Sequence, residues 1–278
     1  MNAKDHPLFK QFPLHGTTTL SIGKAPTPYH IYNGYGLFIG GEGDLTVART
    51  LLKNETVFPV QTTSGKALVG IWICNFTEAS LGPHHELQFS LFVTRQETAP
   101  LPSHPLNLLN LLLTRPDVQM MCHGLWNDTP TVVAYNRELL SLNAQHTHSQ
   151  IERERGAVTF SYLDQVTRTP ILSGAVQQPH QASFRANWAW MSLVGFRQVM
   201  KVAQQPWLKV EVLNPVGVVL DRNAVAESYT KNDTVNIRFF DPRADTLTFG
   251  DTPYRALQFK PHFVQYMDGF KFVYLNPK

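Results

Sequence analysis

Three side chains that can transfer protons, His84, His85 and Glu86, follow a Gly-Pro pair and begin a segment in which apolar and polar residues alternate. Side chains two residues apart on a β-strand point to the same face, so His84 and Glu86 should face one side and His85 the other. If Glu86 faces inward, an apolar interior raises the pKa of its carboxyl group, which suits that group to general acid-base catalysis. Glu78, in the preceding turn, supplies a second carboxylate that its surroundings can tune to another role. These four residues are the predicted catalytic candidates, and a polar strand end at a sheet edge is the alternative.

A second pattern with possible chemistry is His146-x-His148 followed by Glu152. On a strand the two imidazoles share a face and could bind one metal ion. The spacing also resembles the front half of the signature of cupin metal enzymes, another class of antiparallel β proteins. The glycine that this signature has before its first histidine is absent, and no histidine follows the Pro-x-Gly turn at 215–217. We therefore predict solvent-exposed histidines and no metal site, with a cupin-like metal enzyme as an alternative.

Two aromatic runs could line a pocket. The run HGLWND contains His123, Trp126 and Asn127, which carry hydrogen-bond donors, and the run NWAW lies at 187–190. Buried tryptophans more often belong to a core than to a ligand pocket. We therefore favour a place in the core for both runs, and a place in a pocket wall is the alternative.

Composition and missing motifs exclude several classes of function. Of the 278 residues 43% are hydrophobic and 16% charged, and the net charge is +3 with scattered Lys and Arg. This is the composition of a folded protein, and it argues against a nucleic-acid partner or an anionic membrane surface. No dinucleotide-binding, P-loop, serine-hydrolase or HExxH motif occurs, so no cofactor is predicted. Cys74 and Cys122 do not have the spacing of a structural zinc site or a disulfide framework.

The sequence also carries no targeting or membrane signal. It has no apolar leader segment and no run of about 18 apolar residues, the length that spans a bilayer. A cytoplasmic protein without a membrane partner is therefore expected. The glycine-rich stretch GGEGD at 40–44 could cradle an anion at a helix start, but a turn followed by an N-cap Asp44 is the favoured interpretation.

Alternation and β-branched content predict mostly β structure, with few helices between proline-rich loops. The predicted strands are 66–76, 86–94, 131–135, 157–162, 207–213, 234–240, 256–259 and 270–274. The predicted helices are 44–53, 104–114 and 189–202. The fold class is mainly β with peripheral helices (β+α). No linker or repeat divides the chain, so one domain over 1–278 with an N-terminal extension at 1–24 is expected.

Three motifs together resemble the acetoacetate decarboxylase family. They are PYHIYNGYGLFIGGEGDLTVARTLL, TEASLGPHHELQFSLFV and RELLSLNAQ, in the order and approximate spacing of that family, over residues 28–174. The resemblance implies an antiparallel closed β-cone or barrel around an apolar cavity, with helices outside. It also implies a possible homo-oligomer.

The resemblance further implies that the family's covalent catalyst is missing. Active members carry a lysine pair shortly after the Arg-Glu-Leu block, and one lysine forms a Schiff base with a β-keto acid; this enzyme is the usual example of a lysine so activated. The matching positions here are Ala144 and Gln145, and neither can form an imine. A family arginine is replaced by Gly34. The family's cavity glutamate matches Glu86.

Two functions follow. The first is a lyase-like enzyme, of the kind found in secondary metabolism, that acts non-covalently on a small carbonyl, keto-acid or polyketide-like compound by dehydration, aldol chemistry, cyclisation or isomerisation. Glu86 would be its acid or base, and Tyr29 or Arg137 would hold a carboxylate or enolate oxygen. His123, Trp126 and Asn127 would supply further donors. The alternative is a non-catalytic protein that binds an apolar small molecule. A lysine from elsewhere in the chain could replace the missing one only if a strand placed it in the cavity. We do not favour this for Lys24, Lys66, Lys201 or Lys209.

Overall fold

The computed structural model describes residues 3–154, 156–178 and 181–277, which form strands and short helices. The strands are β1 Gly16–Leu20, β2 Gly23–Thr27, β3 Tyr29–Asp44, β4 Phe58–Pro59, β5 Lys66–Ala79, β6 His84–Thr94, β7 Val118–Asn127, β8 Ala144–Glu154, β9 Ala157–Asp164, β10 Pro170–Gln177, β11 Leu208–Leu213, β12 Val225–Lys231, β13 Thr234–Phe239, β14 Thr246–Phe249, β15 Lys260–Asp268 and β16 Lys271–Tyr274. The α-helices are α1 Pro7–Gln11, α2 Leu45–Leu51, α3 Asn107–Thr114, α4 Pro130–Glu138, α5 Phe184–Val194 and α6 Phe196–Gln204, and 3-10 turns lie at Ala3–Asp5 and Pro253–Leu257. The predicted class, mainly β with helices, is confirmed. None of the helices in the described ranges is long and apolar enough to cross a membrane.

Seven of the strands pair in a ring, in the order β3, β5, β6, β7, β11, β12, β16 and back to β3. The edge of β7 that does not face β6 pairs with two strands. Its first half pairs with β11, and its last three residues pair with β8. From β8 a second sheet continues through β9 and β10 to β14. Both of these edge pairings of β7 are parallel, so the expectation of an entirely antiparallel sheet is wrong at these two places. Parallel neighbours are possible there because long connections containing helices join the strands.

The glycine-rich stretch at 40–44 is part of strand β3 and not a turn. Residues 40–43 continue the strand, so the predicted turn is wrong. A Cβ atom at Gly40 would overlap with the ring of Phe263, and one at Gly41 would overlap with the Lys260 carbonyl oxygen of the adjacent β15. Glycine is therefore needed for close approach within the sheet. Asp44 does cap α2, and its Oδ1 accepts a 3.0 Å hydrogen bond from the Val47 amide.

Local sequence signals predicted some elements correctly and missed others. The predicted strand at 131–135 is wrong, because Pro130 begins α4, whose apolar side buries Val132 and Tyr135. The predicted strand at 256–259 is also wrong, since that segment overlaps a 3-10 turn and β15 begins after it. The predicted helix at 189–202 is two helices, separated at Gly195, where φ is +84°.

Both faces of β3, β5, β6 and β7 are largely buried, which explains the low charge of these strands. One apolar cluster contains Phe38, Phe76 and Phe272, and another, on the opposite face of the same strands, contains Leu87 and Phe89. Strands covered on both faces are largely apolar. A polar side chain on these strands is therefore an exception that needs a partner or a function.

Candidate functional site

A cavity of about 80 Å³ lies on the face of the ring that carries Glu86. Its aromatic wall consists of Trp72, Phe76, Phe270, Phe272 and Tyr274, and its aliphatic and sulfur-containing wall of Cys74, Met120, Leu125, Leu142, Val210 and Val212. Its polar groups belong to Tyr29, Glu86, Gln88, Asn136, Ser228 and Thr230. The cavity is thus mostly apolar, with a few polar groups in its wall, as is common for small-molecule sites.

Strand β6 presents Glu86 to this cavity. The alternation of the strand puts Glu86 and Gln88 in the wall, while Leu87 packs in the cluster on the opposite face. The Glu86 side chain is partly buried and lines the cavity. Burial raises the pKa of Glu86 to about 7, and the hydrogen bond from Asn127 acts in the opposite direction. A carboxyl group with this pKa can both accept and return a proton near neutral pH.

Two buried amides hold the Glu86 carboxyl group. Asn127 Nδ2 donates to Glu86 Oε2 at 3.2 Å, and Asn136 Nδ2 donates to Asn127 Oδ1 at 2.9 Å. Asn127 is fully buried and Asn136 is 2% exposed. These two hydrogen bonds link α4 to the end of β7 and β7 to β6, and they hold the Glu86 carboxyl group in position.

We expect Asn127→Leu to raise the pKa of Glu86 further, by about one to two pKa units. A hydrogen bond to a charged group contributes about 1.5–3 kcal/mol, and this bond favours the ionised form. The measurement is a carboxyl ¹³C NMR titration of protein labelled at glutamate, assigned with Glu86→Gln. An unchanged or lower pKa in the variant contradicts this assignment, and Asn143→Leu, outside the amide chain, is the matched control.

His84 is not a lining residue, but it contacts two residues that are, Tyr29 through a hydrogen bond and Phe76 through ring packing. The His84 Nδ1 atom donates to the Gly82 carbonyl oxygen at 2.8 Å, so in the neutral ring Nε2 accepts the hydrogen bond from the Tyr29 hydroxyl. Burial lowers the pKa of His84 to about 4, which keeps the ring neutral. The result is a fixed orientation of Tyr29, whose ring lines the cavity next to Phe272.

The structure places His85 on the opposite face of β6, away from the cavity. Its Nδ1 lies 2.9 Å from Ser149 Oγ and 3.2 Å from Asp128 Oδ2, and its amide donates to Asp128 Oδ1 at 2.8 Å. Burial lowers its pKa. These contacts connect β6 with β8 and the loop after β7.

Two other predicted residues also lie outside the cavity wall. Glu78 is half-exposed at the end of β5 and forms an ion pair with Lys4, at 3.4 Å. Arg137 is exposed in the last turn of α4. Neither residue is therefore placed to act on a compound in the cavity.

A β-bulge decides the positions of His123 and Trp126. In the β6–β7 register Ser90 pairs with Cys122 and Phe89 with Gly124, so His123 is the extra residue. A bulge reverses which side chains face which side. Met120 before it and Leu125 after it therefore both line the cavity.

His123 and Trp126 do not line the cavity, and both lie on the opposite face of β7. His123 Nε2 donates to the Leu51 carbonyl oxygen at 3.1 Å, so Nδ1 accepts from Tyr254 Oη at 2.8 Å. Trp126 packs edge-on against Phe89, with ring centroids 5.7 Å apart. Of the three residues predicted from this run as donors to a substrate, the structure brings only Asn127 next to Glu86.

The metal alternative has no support from geometry. Thr147 is buried, so the strand points His146 and His148 outward; His148 and Glu152 are exposed, and His146 Nε2 donates to the Asp128 carbonyl oxygen at 3.1 Å. Across the described ranges no three His, Cys, Asp or Glu side chains are placed to hold a metal ion.

No lysine lines the cavity in the part of the chain that the structure describes. Ala144 is buried in the apolar cluster and Gln145 is exposed on β8. The lysines at 24, 66, 201 and 209 are likewise outside the wall. A side chain at Gly34 has no room, since its Cβ would lie 2.6 Å from the Asn75 carbonyl oxygen.

Several wall residues were not predicted from the sequence. The β5–β6 register sets Trp72 opposite Gln88 and Cys74 opposite Glu86, so the alternation that placed Glu86 could also have placed Trp72. Tyr274 lies opposite Tyr29, at the other end of the chain, and no local signal reveals that pairing.

The sequence matches no protein-family model and no curated protein. Solved structures are similar in fold. Acetoacetate decarboxylase from Legionella pneumophila subsp. pneumophila str. Philadelphia 1 is 12% identical with a TM-score of 0.60, over 100% of this chain and 95% of that chain. A second acetoacetate decarboxylase structure is 14% identical with a TM-score of 0.55, over 90% and 87%. The enduracididine biosynthesis enzyme MppR, complexed with the condensation product of pyruvate and imidazole 4-carboxaldehyde, is 12% identical with a TM-score of 0.51, over 96% and 97%. The resemblance to acetoacetate decarboxylase is confirmed, and at these identities it is a likeness of fold.

Proposed function

We propose that this chain, which has the fold of acetoacetate decarboxylase, is a lyase-like enzyme that acts non-covalently on a small carbonyl compound inside a closed β-cone. The observation that supports the proposal is a single one. A carboxyl group, Glu86, whose pKa is raised to about 7 lies in the wall of an apolar cavity that has no lysine among its described lining residues. A strongly perturbed acid in a cavity is a common mark of a catalytic group.

In the proposed chemistry Glu86 takes a proton from the carbon next to the substrate carbonyl. The C–H electron pair moves onto the carbonyl oxygen, and the resulting enolate needs hydrogen-bond donors because no iminium takes its charge. Tyr274 Oη and Ser228 Oγ are cavity-lining groups to which the structure gives no side-chain hydrogen bond within the described residues. The enolate then loses a leaving group, attacks a second carbonyl, or takes the proton back from Glu86. One of the fold neighbours supports an enzyme of this type, since MppR is a biosynthesis enzyme whose structure holds the condensation product of pyruvate and imidazole 4-carboxaldehyde.

The alternative, a non-catalytic binding protein, is favoured by the aromatic wall. Six aromatic rings, that of Tyr29 included, and six aliphatic or sulfur-containing side chains line the cavity, and such a lining suits an apolar ligand without chemistry. In both functions the partner is a small molecule. Assembly into a homo-oligomer stays a prediction.

The test is a panel of β-keto acids, α-keto acids paired with aldehydes, and β-hydroxy ketones, followed by ¹H NMR. Each mixture is also treated with borohydride and measured by intact mass. We expect conversion of at least one compound, dependent on Glu86, with no covalent adduct, because the described lining residues include no lysine that could form an imine.

The matched variants are Glu86→Gln and Glu97→Gln, the second at an exposed carboxylate paired with Arg49. A borohydride-trapped adduct would overturn the non-covalent mechanism. Conversion that survives Glu86→Gln would overturn the role of Glu86. Ligand binding without conversion across the panel favours the binding protein.

A further inference from the structure

No positively charged side chain is found among the described residues that line the cavity. Among its described lining residues there is no lysine, arginine or histidine, and Glu86 is the one acidic side chain. Burial raises the pKa of the Tyr29, Tyr274 and Cys74 side chains, so these groups stay neutral. The cavity is therefore either neutral or negative, according to the state of Glu86.

Nearby cations are directed away from the cavity. Lys271 lies between Phe270 and Phe272, which line the cavity, so strand alternation turns it to the other face, where its Nζ is 2.7 Å from Asp233 Oδ2. Lys209, next to Val210, likewise contacts Glu211 and Glu227, at 3.2 and 3.0 Å. A carboxylate bound in the cavity would be buried without a counter-charge and close to Glu86, which is unfavourable.

The polar groups of the wall fit a carbonyl oxygen instead. Trp72 lines the cavity, and its Nε1 is buried without a hydrogen-bond partner among the described residues. Tyr274 and Ser228 add hydroxyl groups, and Trp72 is directly across the strand pair from Gln88. The Tyr274 and Ser228 hydroxyl groups have no side-chain hydrogen bond among the described residues, so a ligand acceptor can take a hydrogen bond from them.

The size of the cavity limits the ligand. An apolar cavity of about 150 Å³ in another protein binds benzene, so about 80 Å³ fits only the atoms of a small compound. Apolar rings form most of the boundary, so most of those atoms should be carbon.

We infer that the cavity takes a small, uncharged, largely apolar carbonyl compound, and that it rejects keto acids. This inference rests on the proposed function, because it takes the cavity as the active site. It narrows the substrate class to small ketones, aldehydes or β-diketones.

The experiment compares pentane-2,4-dione with acetoacetate, which has a nearly identical shape but a carboxylate in place of one acetyl group. Pentan-2-amine tests the opposite charge. Binding to the full chain is measured from ¹⁵N NMR shifts of the Trp72 indole N–H, assigned with Trp72→Phe. We expect the dione to bind about 100-fold more tightly than acetoacetate, because the anion would be buried unpaired.

The same sample, transferred to D₂O, reports on chemistry separately. If Glu86 is the base, the methylene C–H bond breaks, the proton goes to the Glu86 carboxylate and the electron pair to the carbonyl oxygen; a deuteron then returns from Glu86 to carbon. Exchange faster than in the same solution without protein, falling to the protein-free rate in Glu86→Gln, supports the proposed function.

The two readouts fail independently. Tight binding of the dione without exchange supports the neutral ligand and contradicts the enzyme. Acetoacetate or the amine binding as tightly as the dione, or no binding of the dione, overturns the inference whatever the exchange shows.

Discussion

Glu86→Gln is expected to lower the rate of substrate conversion by about 10²–10⁴-fold, the usual contribution of a positioned general acid or base. Glutamine keeps the shape of the side chain, and its amide oxygen can still accept the hydrogen bond that Asn127 donates at 3.2 Å. What it removes is the ability to take and return a proton. The rate constant kcat should therefore fall, whereas KM should change little, because the apolar wall that binds the substrate is intact.

The measurement is steady-state conversion of the compound found by the panel, or methylene exchange of the dione, for both Glu86→Gln and Glu97→Gln. Exposed Glu97 forms an ion pair with Arg49 at 3.4 Å and is not a lining residue of the cavity, so its variant should retain the rate. A rate for Glu86→Gln within about threefold of the parent contradicts general acid-base catalysis by this group. An unchanged ligand affinity would then favour the binding protein.

Glu86 could be predicted because its position depends on local sequence. Alternation along β6 separates Glu86 from His85 without knowledge of the rest of the fold. The same rule fails on β7, where one extra residue, His123, reverses the faces. Bulges depend on how two strands fit each other, so a single strand does not reveal them.

The far wall of the cavity depends on pairings between distant parts of the chain. Val212 comes from a strand that pairs in parallel with β7, and Ser228 and Tyr274 come from adjacent strands near the end of the chain. Their side chains carry no pattern that distinguishes them from ordinary core residues. The resemblance to a known family ended before these strands, so the absence of a cation from the described cavity wall became visible only in the structure.

The same buried carboxyl group should make stability fall as pH rises. Glu86 has a pKa of about 7 in the folded protein and 4.5 as its ordinary value, so the folded state binds its proton more tightly than the unfolded state. Stability from this group is fully present below about pH 4.5, is lost between about pH 4.5 and 7, and is constant above that. The total loss is about 3–4 kcal/mol of the free energy of unfolding, since one pKa unit corresponds to about 1.4 kcal/mol.

Urea unfolding of the parent and Glu86→Gln at about pH 5 and about pH 8 isolates this effect. Other groups also titrate, and burial lowers the pKa values of His30 and His84 to about 4, but both proteins carry them. The difference between the two proteins therefore reports Glu86 alone. Glu86→Gln should gain about 2–3 kcal/mol relative to the parent on going from the lower to the higher pH. A difference that does not change with pH would mean that the carboxyl group is not desolvated, and the argument for its role as an acid-base group near neutral pH would lose its physical basis.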